Sequence, residues 1–254
     1  MTGYGAFVKK EFVEFYRSHK LLIILAVFLL LGMMNPLTAK ITPQLLENFM
    51  PEGMVINIEE PTALDAWMQF YKNVPQLGLV VLVILFSGMM SQEYSKGTLI
   101  NVLTKGLARR SVVLSKFTVA LSMWTMAYTV CVAVSWAYTA YFWQGEELRH
   151  LLAAAAMVWI YGILLLAAGL FGSVLCKNAY GNLLITGGFV GVQFLLNIIP
   201  DAVKYNPIAL VSRNMELIES GVQFDELLTP VGITVGLIVA FVTAACVVFN
   251  KKTL

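Results

Sequence analysis

An all-α integral membrane architecture with six spans is predicted for this chain by three observations: scarcity of charge, the placement of that charge, and its asymmetry between alternate loops. Only 13% of the 254 residues are charged and 59% are hydrophobic, whereas a soluble domain carries roughly 25% charged residues. The charges bracket long neutral runs. Nineteen uncharged residues separate Lys20 from Lys40 and 20 separate Lys72 from Glu93, and further runs cover 117–145, 151–176, 178–200 and 227–250. Each reaches the roughly 20 apolar residues needed to cross a hydrocarbon core about 30 Å thick. Spans are therefore expected at about 21–39, 74–92, 117–143, 151–176, 180–199 and 229–250, within a single transmembrane domain over 1–254. A basic N-terminus, a greasy run and "LTA" at 37–39 also resemble a secretory leader. The apolar run exceeds the 7–15-residue core of such leaders, so it is read as the first span.

Alternate loops differ in charge. One side carries 12 of the 17 basic residues and 3 of the 15 acidic ones, net +9, which leaves −7 on the other. The positive-inside rule makes the basic side of this multi-pass chain cytoplasmic and places both termini there.

Each element then has its own pattern. In 1–19, Val8, Phe12, Phe15 and Tyr16 form one stripe while Lys9, Lys10, Glu14 and Arg17 turn away, the signature of an interfacial helix on the inner leaflet. Residues 63–73, "ALDAWMQFYKN", set Leu64, Trp67, Phe70 and Tyr71 on one face and read as a short helix at the outer interface. "PDAVKYNPIALVSRNMELIESG" (200–221) reads as turns and a short helix between the fifth and sixth spans. The fifth span is the most polar, with Asn182, Thr186, Gln193 and Asn197 and the small-residue pair Gly187 and Gly191, candidates for a pathway or a dimer interface. Gly232 and Gly236 repeat that spacing in the sixth span.

Several chemistries are excluded or disfavoured. No G-x-x-x-x-G-K-[ST] phosphate loop occurs, so the chain is not expected to be an enzyme or to hydrolyse ATP by that route. The two histidines, His19 and His150, fall on opposite sides, which disfavours a Ser-His-Asp relay or a paired-His metal site. Cys131, Cys176 and Cys246 are spaced for neither zinc nor a disulfide framework and read as small apolar fillers. The predicted spans contain no Asp, Glu, Lys or Arg, and secondary transporters and pumps driven by ions usually need such groups. No metal and no cofactor are expected in this chain.

The most informative stretch is "EYSKGTLINVLTKGLARRSVVLSK" (93–116), five positive charges against one negative between two greasy runs. Leu99, Val102, Leu103 and Leu107 form a ridge, Lys96, Asn101 and Lys105 turn away, and Gly97 and Gly106 bracket the segment. A short helix with such a ridge must rest on lipid, on the ends of its own spans or on a partner. Glu93 reads as a helix-capping or cation-pairing carboxylate.

This segment resembles the cytoplasmic loop after the second span of ABC type-2 transporter permeases, in Glu93, Gly97, Thr98, Leu99, Leu103, Arg109 or Arg110, and Lys116. Many members carry proline in the turn, where this chain has Lys105-Gly106. That variant looks more like the branch associated with bacitracin, lantibiotic and cytolytic-peptide export or immunity. "KYNPIAL" (204–210), the interfacial helix, the six spans and the large first outer loop fit the same resemblance. It implies a permease that dimerises, with itself or with a related permease, and pairs with two separate ATPase subunits that bind ATP-Mg. The 93–110 segment would hold a coupling helix seated in the ATPase, contacting it through Glu93, Gly97, Thr98, Leu99, Val102, Leu103, Lys105, Arg109 and Arg110. The cargo it implies is an amphipathic or antimicrobial peptide, with lipid or hydrophobic-drug export as the alternative. An ATPase-independent transporter or channel, or a subunit that binds a partner without transporting, are the competing classes. No nucleic-acid partner is expected.

Overall fold

Six helices long and apolar enough to cross a bilayer appear in the computed structural model, which describes residues 3–49, 60–97, 104, 106–146, 148–176, 178–219 and 224–252. No strand occurs among the described residues. In chain order the helices are α1 (Gly3–Arg17), α2 (Lys20–Phe49), α3 (Ala63–Asn73), α4 (Leu79–Phe86), α5 (Ser91–Lys96), α6 (Arg109–Phe142), α7 (Leu151–Leu175) and α8 (Ala179–Leu196), then the short α9 (Pro200–Val203), α10 (Ala209–Ser212) and α11 (Asn214–Ile218), and finally α12 (Phe224–Lys251). The spans are formed by α2, α3 with α4, α6, α7, α8 and α12.

The second span departs from expectation. Residues 63–73 do not lie apart at an interface: α3 runs through a single π-helical turn, Val74–Gly78, straight into α4. Pro75 sits in that turn. The start is fixed by Asp65, whose carboxylate accepts the Thr62 backbone N–H at 2.8 Å. Trp67, Phe70 and Tyr71 are buried because that face of α3 meets α2 and α6. Their rings pack at 5.0–5.9 Å from one another, and aromatic faces of this size bury more apolar area in a helical core than at an interface.

The third span differs too. Its helix begins at Arg109, eight residues ahead of the expected 117, and continues for 34 residues. At 1.5 Å per residue that is about 51 Å, longer than the hydrocarbon core, so its first turns stand outside it. Lys116, expected in a loop, therefore lies on a helix and is buried. The sixth-span helix likewise starts earlier, with Asp225 and Glu226 in its first turn, where carboxylates favour the helix dipole.

The centre of the bundle is α6 against α7. Trp124 and Trp159 cross-link the two helices: Trp124 Nε1 donates to the Trp159 carbonyl at 3.0 Å and Trp159 Nε1 donates to Thr125 Oγ1 at 3.0 Å. Tyr128 Oη donates to the Ala155 carbonyl at 2.9 Å. Two glycines permit this closeness. A Cβ on Gly162 would come within 2.4 Å of the Trp124 ring, and one on Gly32 of α2 within 2.8 Å of the Cys131 carbonyl. The loop after α8 folds back onto this core, burying Asn206 through Leu210, with Asn206 Nδ2 donating to the Gln193 carbonyl at 2.7 Å.

Candidate coupling site

α1 approaches the bundle with a face that includes Tyr4, Phe7, Glu11 and Phe15, spaced by three or four residues. Tyr4 shares a 2.8 Å hydrogen bond with Thr118 Oγ1, and Phe7 is buried in a cluster with Met90, Val112 and Val113. Phe15 stacks on Phe86 with ring centroids 5.0 Å apart. Of the predicted stripe, Val8 and Phe15 pack inward while Phe12 and Tyr16 are exposed on the outer flank.

In the middle of this inward face sits a carboxylate. Glu11 is buried, and its Oε2 accepts from Lys116 Nζ at 2.9 Å. The same ammonium donates to Glu93 Oε1 at 3.1 Å, and Lys10 Nζ reaches that oxygen at 2.7 Å from the exposed side. Lys10 also contacts Glu11 at 3.0 Å and Glu14 at 2.9 Å. Glu93 and Lys116 are 3% and 5% exposed. This pairing explains how buried charges survive here, since an isolated one would be neutralised or expelled. Burial disfavours the Glu93 carboxylate, yet Lys116 and Lys10 prevail and hold its pKa below the ordinary range. Burial likewise opposes the Lys10 charge, but hydrogen bonds to Glu14 and Glu93 and the nearby Glu11 raise its pKa above the ordinary lysine value. The carboxylates of Glu11, Glu14 and Glu93 converge within 4.8 Å. Because two ammonium groups already occupy their oxygens, the donor set reads as an ion-pair network rather than a metal centre.

A second set of basic residues gathers the helix ends nearby. Arg109 Nη1 donates to the carbonyls of Phe249, at 3.1 Å, and of Lys252, closing the end of α12. Lys252 Nζ in turn donates to the carbonyls of Val174 at 2.6 Å and Leu175 at 3.3 Å, and lies 4.8 Å from the Tyr94 ring. Cations placed at helix C-termini both satisfy orphan carbonyls and oppose the dipole. Burial pushes the Tyr94 hydroxyl up to about 12, against the pull of Arg109.

The residues singled out in the sequence separate accordingly. Glu93 joins the buried network; Gly97 ends α5 in the left-handed region at φ 62°, where glycine is unstrained. Arg109 is engaged within the chain and Arg110 is exposed. Thr98, Leu99, Val102, Leu103 and Lys105 lie outside the described residues. In α8, Asn182, Thr186 and Gln193 point inward: Asn182 Nδ2 donates to the Ser87 carbonyl at 2.7 Å and Tyr161 Oη donates to Gln193 Oε1 at 3.1 Å. Gly187 and Gly191 face outward with open space where a Cβ would sit, and Asn197 caps the helix end, partly buried. Between the Pro75 turn with α4, α7 and α8 runs an apolar groove of about 490 Å³ that Tyr161, Thr186 and Gly187 help to line.

Glu11, Lys10 and Lys252 had not been singled out as site residues. For Glu11 a signal existed: it stands four residues from both Phe7 and Phe15, on the side of α1 that carries apolar groups. For Lys252 none did.

A family model described as ABC-2 family transporter protein matches residues 6–254. The chain belongs to that family. An uncharacterized transmembrane protein of Bacillus subtilis (strain 168), YxlG, is 19% identical over 223 residues, covering 87% of this chain and 86% of that one. As an ABC-2 family member the chain is a multi-pass membrane permease component, and the family implies an ATPase partner that is not this polypeptide.

Proposed function

We propose that this permease works as half of an ATP-driven exporter: two copies, or one copy and a related permease, span the cell membrane and two ATPase subunits bind their cytoplasmic faces. The end of the bundle carrying Glu11, Glu93 and Lys116 is read as cytoplasmic, because 12 of the 17 basic residues fall on that side. ATP-Mg is bound and hydrolysed in the partner. The observation carrying this reading is the buried network, which ties the beginning of the 93–110 segment to α1 and to the third span through Glu93, Glu11 and Lys116. A coupling segment needs such a root, since force received by a loosely attached loop would be absorbed by the loop. Leu99, Val102 and Leu103 supply the apolar contact for the ATPase, and Arg110, exposed at the start of α6, pairs with carboxylates or lipid phosphate.

The cargo is read as an amphipathic or antimicrobial peptide. An outer face of −7 attracts cationic chains over distances that salt shortens, and the 490 Å³ groove offers apolar walls with few polar groups. The same groove favours a second reading, export of a lipid or hydrophobic drug.

Pull-down of a coexpressed ATPase subunit tests the coupling. Leu99→Asp with Leu103→Asp is expected to abolish copurification, and an intact complex overturns the assignment. Cells lacking both subunits should become more sensitive to cationic peptides; unchanged sensitivity across a peptide panel moves the cargo to lipids or drugs. A reporter inserted near residue 100 should be reachable only from the cytosol.

A further inference from the structure

We infer that α1 is part of the coupling lever rather than a separate membrane anchor, and that Lys116 is the positioning residue that locks α1, α5 and the start of α6 into one rigid unit. That the unit acts as a lever rests on the exporter reading above; that it is rigid rests on geometry alone.

Two attachments of α1 can be compared. To α2 it is joined by a turn at Ser18-His19, where His19 takes the left-handed conformation at φ 57°. A non-glycine residue in that region marks a sharp, strained reversal. To α6 it is joined at Tyr4, Phe7 and Glu11, to α5 through Lys10 and Glu93, and to the end of α4 through Phe15 on Phe86, over about three turns. The centre of that seam is charged. Lys116 Nζ stands 2.9 Å from a carboxylate of α1 and 3.1 Å from one of α5, in a site only a few per cent exposed.

A buried ion pair resists separation far more than an exposed one, because pulling it apart leaves a desolvated charge with no partner. Sliding α1 by one turn would part Glu11 from Lys116 and Lys10 from Glu93, the two charged ties that α1 makes to the rest of the unit. Lys10 adds a second clasp on Glu93 from the exposed side and shares Glu11 and Glu14 of its own helix. Motion entering at Glu93 must move α1 and α6 together. Since α1 leads into the first span and α6 is the third, one push reaches two spans that pack on each other.

Hydrogen exchange read by mass spectrometry tests the lock on the full chain, reconstituted in nanodiscs of phosphatidylethanolamine and phosphatidylglycerol. With Lys116→Met, amides of α1 are expected to exchange at least tenfold faster while those of α7 keep their rates. Lys116→Arg, which keeps a cation between Glu11 and Glu93, should hold α1 within threefold of the unaltered protein. Unchanged α1 rates in Lys116→Met overturn the proposal. Should Lys116→Met loosen α7 as well, Lys116→Arg decides: near-native α1 rates support the lock, and rates like those of Lys116→Met overturn it. None of this needs an ATPase, so failure of the exporter reading leaves the result standing. In the complex, Lys116→Met should retain the ATPase but lose at least fivefold of any stimulation by this chain, and Lys116→Arg should keep it; stimulation untouched by Lys116→Met removes α1 from the lever.

Discussion

Glycines at the centre of the bundle and glycines on its fifth and sixth spans make opposite demands, although the sequence writes them alike. Gly162 of α7 is pressed against Trp124, and Gly32 of α2 against the α6 backbone. Gly187 and Gly191 of α8 and Gly232 and Gly236 of α12 meet nothing within 4 Å. In the most apolar 18-residue stretch of α7, 67% of the residues are buried, against 17% in the corresponding stretches of α8 and α12. One set of glycines has been used by the fold of the single chain. The other is free for something outside it, whether lipid, another permease or, at Gly187, an occupant of the groove it lines, which is why small-xxx-small spacing in a sequence does not by itself reveal which surface it serves.

Substitutions can sharpen this contrast. The largest effect is expected at the charged seam: Lys116→Met removes the ammonium between the buried carboxylates of Glu11 and Glu93 and should destabilise by about 3–5 kcal/mol, seen as a lowered thermal midpoint in detergent. Gly162→Ala should follow at about 1–3 kcal/mol, because the Trp124 ring must move. If it proves neutral by the same melt, α7 and α6 are less tightly joined than the hydrogen bonds between them indicate. Asn182→Ala, which removes the tie from α8 to Ser87, should cost about 0.6 kcal/mol, the usual size of a hydrogen bond between membrane helices. Gly187→Ala should reverse the sign and stabilise the chain by about 0.5 kcal/mol through helix propensity. Bulkier Gly187→Leu with Gly191→Leu should spare the fold yet reduce recovery of a differently tagged second copy. Equal melting losses at Gly162 and Gly187 would break the comparison.

The smallest effect concerns pH. The Glu93 pKa is lowered from 4.5, so its share of stability is complete above the unfolded value and lost as pH falls through the folded one. Lys10 is raised from 10.5, so its share is present below that value and fades only as pH rises through the higher folded one. The melting midpoint should therefore be flat between about pH 5 and 10 and drop on the acid side first.

The spans were legible because a bilayer punishes charge wherever it is unpaired, and neutral runs of about 20 residues leave few alternatives. The aromatic face of 63–73 was legible as a face, but its destination was not. Trp67 and Phe70 suit an interface and a core equally, and only the continuity of α3 through the Pro75 turn decides. The buried network was half legible. Glu93 and Lys116 stood out as motif residues, whereas Glu11 hid within a stripe judged by hydrophobicity. A charge on an apolar face looks like an error of phase until its partner, 105 residues away, is known.

The clasp formed by Arg109 and Lys252 carries a practical lesson for anyone purifying this permease. Lys252 stitches the end of α12 to the end of α7 and rests on the ring of Tyr94, in the element that carries Glu93. An affinity handle fused directly behind it would tug on that stitch and imitate an uncoupled variant. A spacer of several glycines and serines keeps the biochemistry of the bait separate from the behaviour of the molecule.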